Sequence, residues 1–80
     1  MRPTLNKVEP LNGYKLKLLY NNGECKVYDC TDFVDEPVFK SLKNMAIFNT
    51  AKKIRIDSGV EFINGIDICP DDLYYGSKSL

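Results

Sequence analysis

The chain has 80 residues, of which 44% are hydrophobic and 28% are charged, and its 11 basic and 11 acidic residues cancel to zero formal net charge. This length predicts a single domain with a small core, and the composition excludes a disordered chain. A dedicated nucleic-acid-binding domain usually carries a basic excess, so the charge balance argues against that class. No apolar stretch approaches the roughly 20 residues of a membrane span, and the N-terminus lacks an apolar signal region. We therefore expect a cytoplasmic protein with no membrane partner.

Several common kinds of active site are missing from the sequence. It contains no histidine, which excludes a Cys–His couple and a Ser–His–Asp triad. Its three cysteines, Cys25, Cys30 and Cys69, form no Cys-x-x-Cys pair, so neither a zinc site nor a disulfide framework is predicted. No glycine-rich phosphate-binding motif is present. We expect no enzyme, no bound metal and no cofactor.

The N-terminal part of the chain predicts three antiparallel strands. A short strand is expected around Val8, from Asn6 to Pro10. In the segment 14–20, the apolar residues Tyr14, Leu16, Leu18 and Tyr20 alternate with Lys15, Lys17 and Leu19, which is typical of a half-buried strand. Asn22-Gly23 is the strongest short signal for a hairpin turn. The return strand is expected over 24–30.

A two-residue turn at Asn22-Gly23 places Leu18 opposite Val27 and Leu16 opposite Asp29, on a mostly apolar inner face. The opposite face then combines basic and aromatic groups: Lys15, Lys17, Lys26 and Tyr28. Such a surface can bind single-stranded nucleic acid, which gives one alternative function. The plainer interpretation is a solvated sheet face whose lysines prevent edge pairing.

A helix is predicted over Asp32 to Asn44. Asp35 can cap it, Pro37 suits its first turn, and its apolar face is predicted to consist of Val38, Phe39 and Leu42. A further half-turn is expected over Met45 to Asn49.

A second hairpin is predicted from Lys53 to Asp57 and from Val60 to Ile63, with Gly59 in the left-handed position of its loop. This register pairs three residues of each strand: Ile56 with Val60, Arg55 with Glu61, and Ile54 with Phe62.

The C-terminal part predicts a turn at Asn64-Gly65, a short extended piece over Ile66 to Ile68, and a helical turn from Pro70. Residues 76–80 are expected to be a frayed tail, so the domain spans residues 1–75. The sequence therefore predicts an α+β fold: two hairpins and an N-terminal strand form a small antiparallel sheet, with one short helix between the hairpins and a C-terminal helical turn.

Acidic residues give the best candidate polar sites. Asp67, Asp71 and Asp72 could bind a hard cation through oxygen ligands, although their spacing fits no EF-hand loop. The structural alternative is that Asp71 and Asp72 favour the start of a helix and that Asp67 accepts hydrogen bonds from a turn. Asp29, predicted on the inner face, could be a general base with a raised pKa, or could accept hydrogen bonds from backbone N–H groups near Thr31. The sequence leaves open whether Asp29 and Asp67 meet.

Tyr74 and Tyr75 could present an aromatic surface to a partner. In such a pair one ring more often packs inward while its neighbour is exposed.

The order of these signals resembles one small bacterial family, domain of unknown function family 2442. The resemblance covers nearly the whole chain and rests on Asn22-Gly23-Glu24, Asp29, Leu42, Phe48 and a C-terminal pattern of Gly65, Asp67, Pro70, Leu73 and Tyr74. Members of the family often carry a tryptophan in the strand before that glycine, where this chain has Phe62-Ile63.

The resemblance implies a small α+β fold and does not imply an enzyme. Members of the family are similar to free-standing domains encoded beside another small protein, an arrangement like that of toxin–antitoxin pairs. We therefore expect a non-enzymatic protein-interaction module whose partner is another small protein. An antitoxin-like role and weak nucleic-acid binding remain alternatives, and a homodimer formed through an exposed edge strand is also open.

Overall fold

The computed structural model describes residues 2–54 and 58–80. Its strands are β1 (Leu5–Leu11), β2 (Lys15–Tyr20), β3 (Cys25–Asp29), β4 (Lys52–Lys53), β5 (Val60–Glu61), β6 (Asp67–Ile68) and β7 (Lys78–Ser79). Its helices are two 3₁₀ helices (Phe33–Asp35 and Pro37–Lys43), α1 (Met45–Phe48) and α2 (Pro70–Tyr75). The predicted α+β class is confirmed.

The strands form two antiparallel sheets. The main sheet has four strands in the order β1-β2-β3-β7, and the second sheet has three in the order β4-β5-β6. The main sheet contains the predicted N-terminal strand and first hairpin. Its fourth strand, β7, lies in the segment 76–80 that the sequence predicted to be frayed. The Leu80 N–H donates to the Cys25 carbonyl at 3.0 Å, which extends the pairing of β7 with β3.

The register of the first hairpin differs by one residue from the prediction. Leu18 lies opposite Lys26 and Leu16 opposite Tyr28. The Tyr20 N–H donates to the Glu24 carbonyl, and Gly23 has a φ of +90°. The loop therefore has three residues and ends on a left-handed glycine, instead of the predicted two-residue turn.

This one-residue difference moves every side chain of β3 to the other face. Lys26 and Tyr28 lie on the inner side with buried Leu16 and Leu18, so the predicted basic face that joined them to Lys15 and Lys17 is wrong. Cys25, Val27 and Asp29 lie on the outer side: Cys25 opposite Leu19, Val27 opposite Lys17, and Asp29 opposite Lys15. The predicted inner position of Asp29 is therefore also wrong.

The single short helix predicted over Asp32 to Asn44 is replaced by two 3₁₀ helices. Glu36 lies between them with extended backbone (φ −72°, ψ 142°), because a residue before proline disfavours the helical region. Val38 was predicted to face the core but is 73% exposed, whereas Leu42 is buried. In a 3₁₀ helix residues three apart align, so Phe39 and Leu42 share a side that Val38 does not. Asp35 lies inside the first 3₁₀ helix and caps nothing through its side chain, although its carboxylate pairs with Lys43 at 2.7 Å.

The second hairpin also differs in register. Lys52 lies opposite Glu61, and the Ile54 N–H donates to the Gly59 carbonyl, so the predicted pairing of Ile54 with Phe62 is wrong. The left-handed residue is Ser58, with a φ of +65°, instead of Gly59. The predicted pairs of Arg55 and Ile56 lie outside the described residues.

The turn at Asn64-Gly65 and the helical turn from Pro70 are confirmed. Gly65 has a φ of +88°, the backbone of residues 67 and 68 forms β6, and Pro70 opens α2.

The helices and the second sheet pack on the side of the main sheet that carries Leu16 and Leu18. The buried core joins residues of β1 and β2 to residues of the helices and the second sheet: Leu5, Leu16, Leu18, Tyr20, Cys30, Val34, Leu42, Phe48, Val60, Phe62, Ile68 and Leu73. Along β2, buried and exposed residues alternate strictly, which leaves the other side of the sheet uncovered.

Candidate interaction surface on the main sheet

The uncovered side of the main sheet carries an ordered pattern of apolar and charged residues. Strand pairing places them in three rows that cross the sheet: Lys7, Leu19, Cys25 and Leu80; then Glu9, Lys17, Val27 and Lys78; then Leu11, Lys15 and Asp29. We call these eleven residues the outer face.

The first row is mostly apolar and reaches solvent. Leu19 is 40% exposed and Leu80 is 72% exposed, although both are large hydrophobic residues. Cys25 lies between them and is half-buried, and Val27 in the next row is half-buried as well. These four residues form an apolar centre whose large side chains no described element covers.

Charged groups surround the apolar centre. Four lysines of the outer face, Lys7, Lys15, Lys17 and Lys78, outnumber its two acids, Glu9 and Asp29, which gives this face a formal charge of +2. The ion pairs within 4 Å among the described residues lie elsewhere in the molecule. Since the whole chain has zero net charge, its remaining residues sum to −2.

Asp29 stabilises the turn that follows β3. Its carboxylate accepts hydrogen bonds from the Thr31 N–H at 2.9 Å and from the Thr31 hydroxyl at 2.7 Å. These bonds, with smaller contributions from nearby Lys15 and Lys78, hold the pKa of Asp29 below its usual value. The structure therefore shows the hydrogen-bonding role for Asp29, and the raised pKa that a general base needs is not found.

Tyr74, another predicted site residue, joins α2 to the first hairpin. Its hydroxyl donates to the Glu24 carboxylate at 2.5 Å, and its ring packs edge-on against Tyr20 with centroids 5.0 Å apart. The hydrogen bond from Tyr74 lowers the pKa of Glu24 and raises the pKa of Tyr74. Tyr75 is exposed, so the predicted division of roles within this pair of tyrosines is observed.

Lys26 contacts the same tyrosine from β3. Its ammonium group donates to the Tyr74 carbonyl at 3.0 Å and lies 4.1 Å from the centre of the Tyr74 ring. Tyr28 is half-buried on the same side, with its ring 6.3 Å from that of Phe33. Both residues therefore stabilise the inner layer, and neither is available to the outer face.

The other acidic candidates, Asp67, Asp71 and Asp72, lie apart from the outer face. Asp71 accepts a hydrogen bond from Arg2 at 2.7 Å, and it lies with Asp72 in the first turn of α2, where carboxylates are favourable. Asp67 lies on β6 and lines a recess with Asp72, whereas Asp29 lines a different one. Within residues 2–54 and 58–80, no group of three histidine, cysteine, aspartate or glutamate side chains has an arrangement that could hold a metal ion.

The three cysteines are free thiols in different environments. Cys30 is buried, Cys25 is half-buried and Cys69 is exposed. Burial, and to a smaller extent the nearby Asp29, raises the pKa of Cys30 to about 12, so its thiol stays protonated at neutral pH.

Sequence reasoning missed most of the apolar centre. The signal was present in Leu18-Leu19-Tyr20, since three consecutive apolar residues in a strand must place one of them on the polar side. The contributions of Cys25 and Val27 depend on the register, and that of Leu80 on the pairing of β7.

A family model described as "Protein of unknown function (DUF2442)" matches residues 5–79. The chain belongs to this family. The match runs from the first residue of β1 to the last residue of β7, so the DUF2442 domain includes the whole main sheet. Neither the curated proteins nor the solved structures contain a match to this DUF2442 chain.

None of the helices in the described ranges combines the length and the apolar character that crossing a membrane requires.

Proposed function

We propose that this DUF2442 protein is a non-enzymatic interaction module and that its outer face binds another protein. The observation that carries this proposal is the exposure of Leu19 and Leu80 on a sheet face that no described element covers. Apolar residues enclosed by polar ones are the usual arrangement of a protein-binding patch.

The polar groups also favour binding over catalysis. The sequence contains no histidine. The Asp29 carboxylate already accepts a hydrogen bond from the Thr31 N–H, and the Cys30 thiol is buried with a raised pKa. The free thiols are consistent with a reducing compartment, which supports the cytoplasm as the proposed location.

The sharper form of the proposal is an antitoxin-like role, in which the partner is a small protein encoded beside this one. It is supported by the family resemblance and by the uncovered apolar centre. Co-expression of the two proteins should give a stable complex that survives size-exclusion chromatography at micromolar concentration. Separate elution would contradict this form and leave the general proposal intact.

Weak nucleic-acid binding is the second candidate, supported by the four lysines of the outer face. The face contains no aromatic residue, because Tyr28 points to the inner side. Base stacking on aromatic rings contributes much of the affinity for single strands. Protein binding is therefore the better supported of the two.

A pull-down from the native cell extract tests the proposal when matched variants are compared. Leu19→Asp places a charge in the apolar centre, and Val38→Asp places the same charge on an exposed residue of the second 3₁₀ helix. We expect Leu19→Asp to reduce the captured partner at least tenfold and Val38→Asp to leave it unchanged. Equal capture by both variants would contradict binding through the outer face.

A further inference from the structure

The outer face has unsatisfied positive charge around its apolar centre. Lys7 closes the first row at the β1 edge, and Lys17 and Lys78 flank Val27 in the second row. None of these lysines lies in an ion pair among the described residues. A partner that covers the centre must also place groups beside these ammonium ions.

The acids of the face compensate only part of this charge. Asp29 already accepts two hydrogen bonds from Thr31, and Glu9 lies directly opposite Lys17 on the neighbouring strand. The net charge of +2 therefore remains for a partner to neutralise. A basic or neutral partner would bury lysines without compensation, which is unfavourable, whereas carboxylates would pair with them.

The geometry of the first row suits a helix better than a strand. Leu19, Cys25 and Leu80 lie on three adjacent strands, so the row spans two interstrand spacings, about 10 Å. An α-helix presents apolar residues at i, i+3 or i+4, and i+7 over roughly the same distance, about 10.5 Å. Covering one face of a sheet with a helix is also the common two-layer arrangement.

We propose that the outer face binds an amphipathic helix of another protein whose apolar stripe is flanked by aspartate or glutamate residues. This inference rests on the proposed function and adds the chemistry of the partner. The apolar stripe covers Leu19, Cys25, Val27 and Leu80. The flanking carboxylates pair with Lys7, Lys17 and Lys78, and with Lys15 in the third row.

Two synthetic helical peptides of about 20 residues test the charge of the partner, since much shorter helices are marginal in water. Both carry leucines at i, i+3, i+4 and i+7 on an alanine background. One carries glutamates beside the leucines, and the other carries lysines at the same positions. Each is titrated into the full-length ¹⁵N-labelled protein, and amide chemical shifts report affinity and location.

We expect the glutamate peptide to bind at least tenfold more tightly than the lysine peptide and to shift amides of β2, β3 and β7. Replacing Lys15 and Lys17 by glutamate should weaken binding of the glutamate peptide at least tenfold. The control variant replaces Lys40 and Lys53, which are exposed outside the outer face, with the same change of charge. It should leave binding nearly unchanged.

Equal binding of the two peptides, tighter binding of the lysine peptide, or shifts confined to other surfaces would overturn the inference. Tighter binding of a thymidine oligonucleotide to the same face would also overturn it, in favour of nucleic acid. So would concentration-dependent shifts on the outer face without any peptide, in favour of a second copy of this chain. If Leu19→Asp reduces capture of the partner as expected while the glutamate peptide does not bind, the proposed function stands. Only the inferred chemistry of the partner is then wrong.

Discussion

Tyr20 is an unusual residue of the core because its hydroxyl is buried without a hydrogen-bond partner among residues 2–54 and 58–80. The side chain is 1% exposed, and burial is the main reason that the pKa of Tyr20 rises to about 12. A buried hydroxyl without a partner costs stability, because it loses its hydrogen bonds to water.

Tyr20→Phe should therefore stabilise the protein, raising the free energy of unfolding by about 1 kcal/mol. The matched control is Tyr14→Phe, which removes a hydroxyl that donates to the Lys43 carbonyl at 2.6 Å and should lower stability. Urea unfolding of both variants measures the two effects. A loss of stability in Tyr20→Phe would show that its hydroxyl has a favourable partner.

The cysteines provide a second prediction at the residue scale. Cys69 is exposed, Cys25 is half-buried, and Cys30 is buried with a protonated thiol. Because iodoacetamide must reach the sulfur atom, exposed Cys69 should be modified first and half-buried Cys25 next. Cys30, which is buried and protonated, should be modified only after unfolding. Mass spectrometry of timed samples gives the order. Rapid modification of Cys30 in the native protein would contradict its burial.

At the scale of elements, Gly76 fixes the contact between the end of α2 and the main sheet. A methyl group at this position would lie 2.6 Å from the Asp72 carbonyl oxygen and 3.0 Å from the Tyr28 ring. The contact with the Asp72 carbonyl lies within the end of α2 and is too short for a real side chain, so the backbone at this end of the helix would have to shift. The contact with the Tyr28 ring is also tight, which limits a shift toward the main sheet.

Gly76→Ala should lower the free energy of unfolding by roughly 1–3 kcal/mol, the usual cost of overpacking. Ser79→Ala, an exposed change on β7, is the control and should have little effect. Chemical denaturation of both proteins provides the comparison. Unchanged stability in Gly76→Ala would mean that α2 can shift without cost.

Elements that depend on local signals could be predicted from the sequence. The alternation in β2, the turn at Asn64-Gly65 and the proline at the start of α2 each act within a few residues, and each was placed correctly. The hairpin turn at Asn22-Gly23 was located correctly, but its length was not. The register of the first hairpin depends on whether Asn21 belongs to the strand or the turn. Asn22-Gly23 is compatible with both turns. Because β3 has apolar residues on both of its faces, its pattern could not decide which register is correct.

The candidate site could be predicted only in part for the same reason. Lys15 and Lys17 were placed together on an exposed face because β2 alternates clearly. Lys26 and Tyr28 were assigned to that face through the wrong register. Leu80 could not be assigned, because pairing of a two-residue strand with β3 depends on tertiary contacts that leave little trace in the sequence.

At the scale of the molecule, two carboxylates make the free energy of unfolding depend on pH. Glu24 accepts from Tyr74 and Asn22, and Asp29 accepts from Thr31, so both pKa values lie below the ordinary 4.5 and 3.8. At pH values between the lowered pKa of the folded state and the ordinary pKa of the unfolded state, each carboxyl group binds more protons in the unfolded state. Their stabilising contribution is therefore complete above about pH 4.5 and is lost as the pH falls through the folded pKa values.

Unfolding free energies measured from pH 7 to pH 2 should fall steeply only below about pH 4.5. A double variant, Glu24→Gln with Asp29→Asn, should show a flatter decline. Glu36→Gln is the control, since the Glu36 side chain makes no capping hydrogen bond. An equally steep decline in the double variant would assign acid sensitivity to other groups.

The border of the main sheet at β1 has a consequence for how copies of the molecule behave when crowded. Pro10 supplies no amide proton, the Leu5 N–H already donates to the Ser58 hydroxyl at 3.1 Å, and the ladder is irregular between Leu5 and Lys7. A ribbon from another molecule would meet an interrupted series of donors on this side. Templated growth into fibrils is thereby obstructed at β1, even though Leu19 and Leu80 on the same sheet are exposed to solvent.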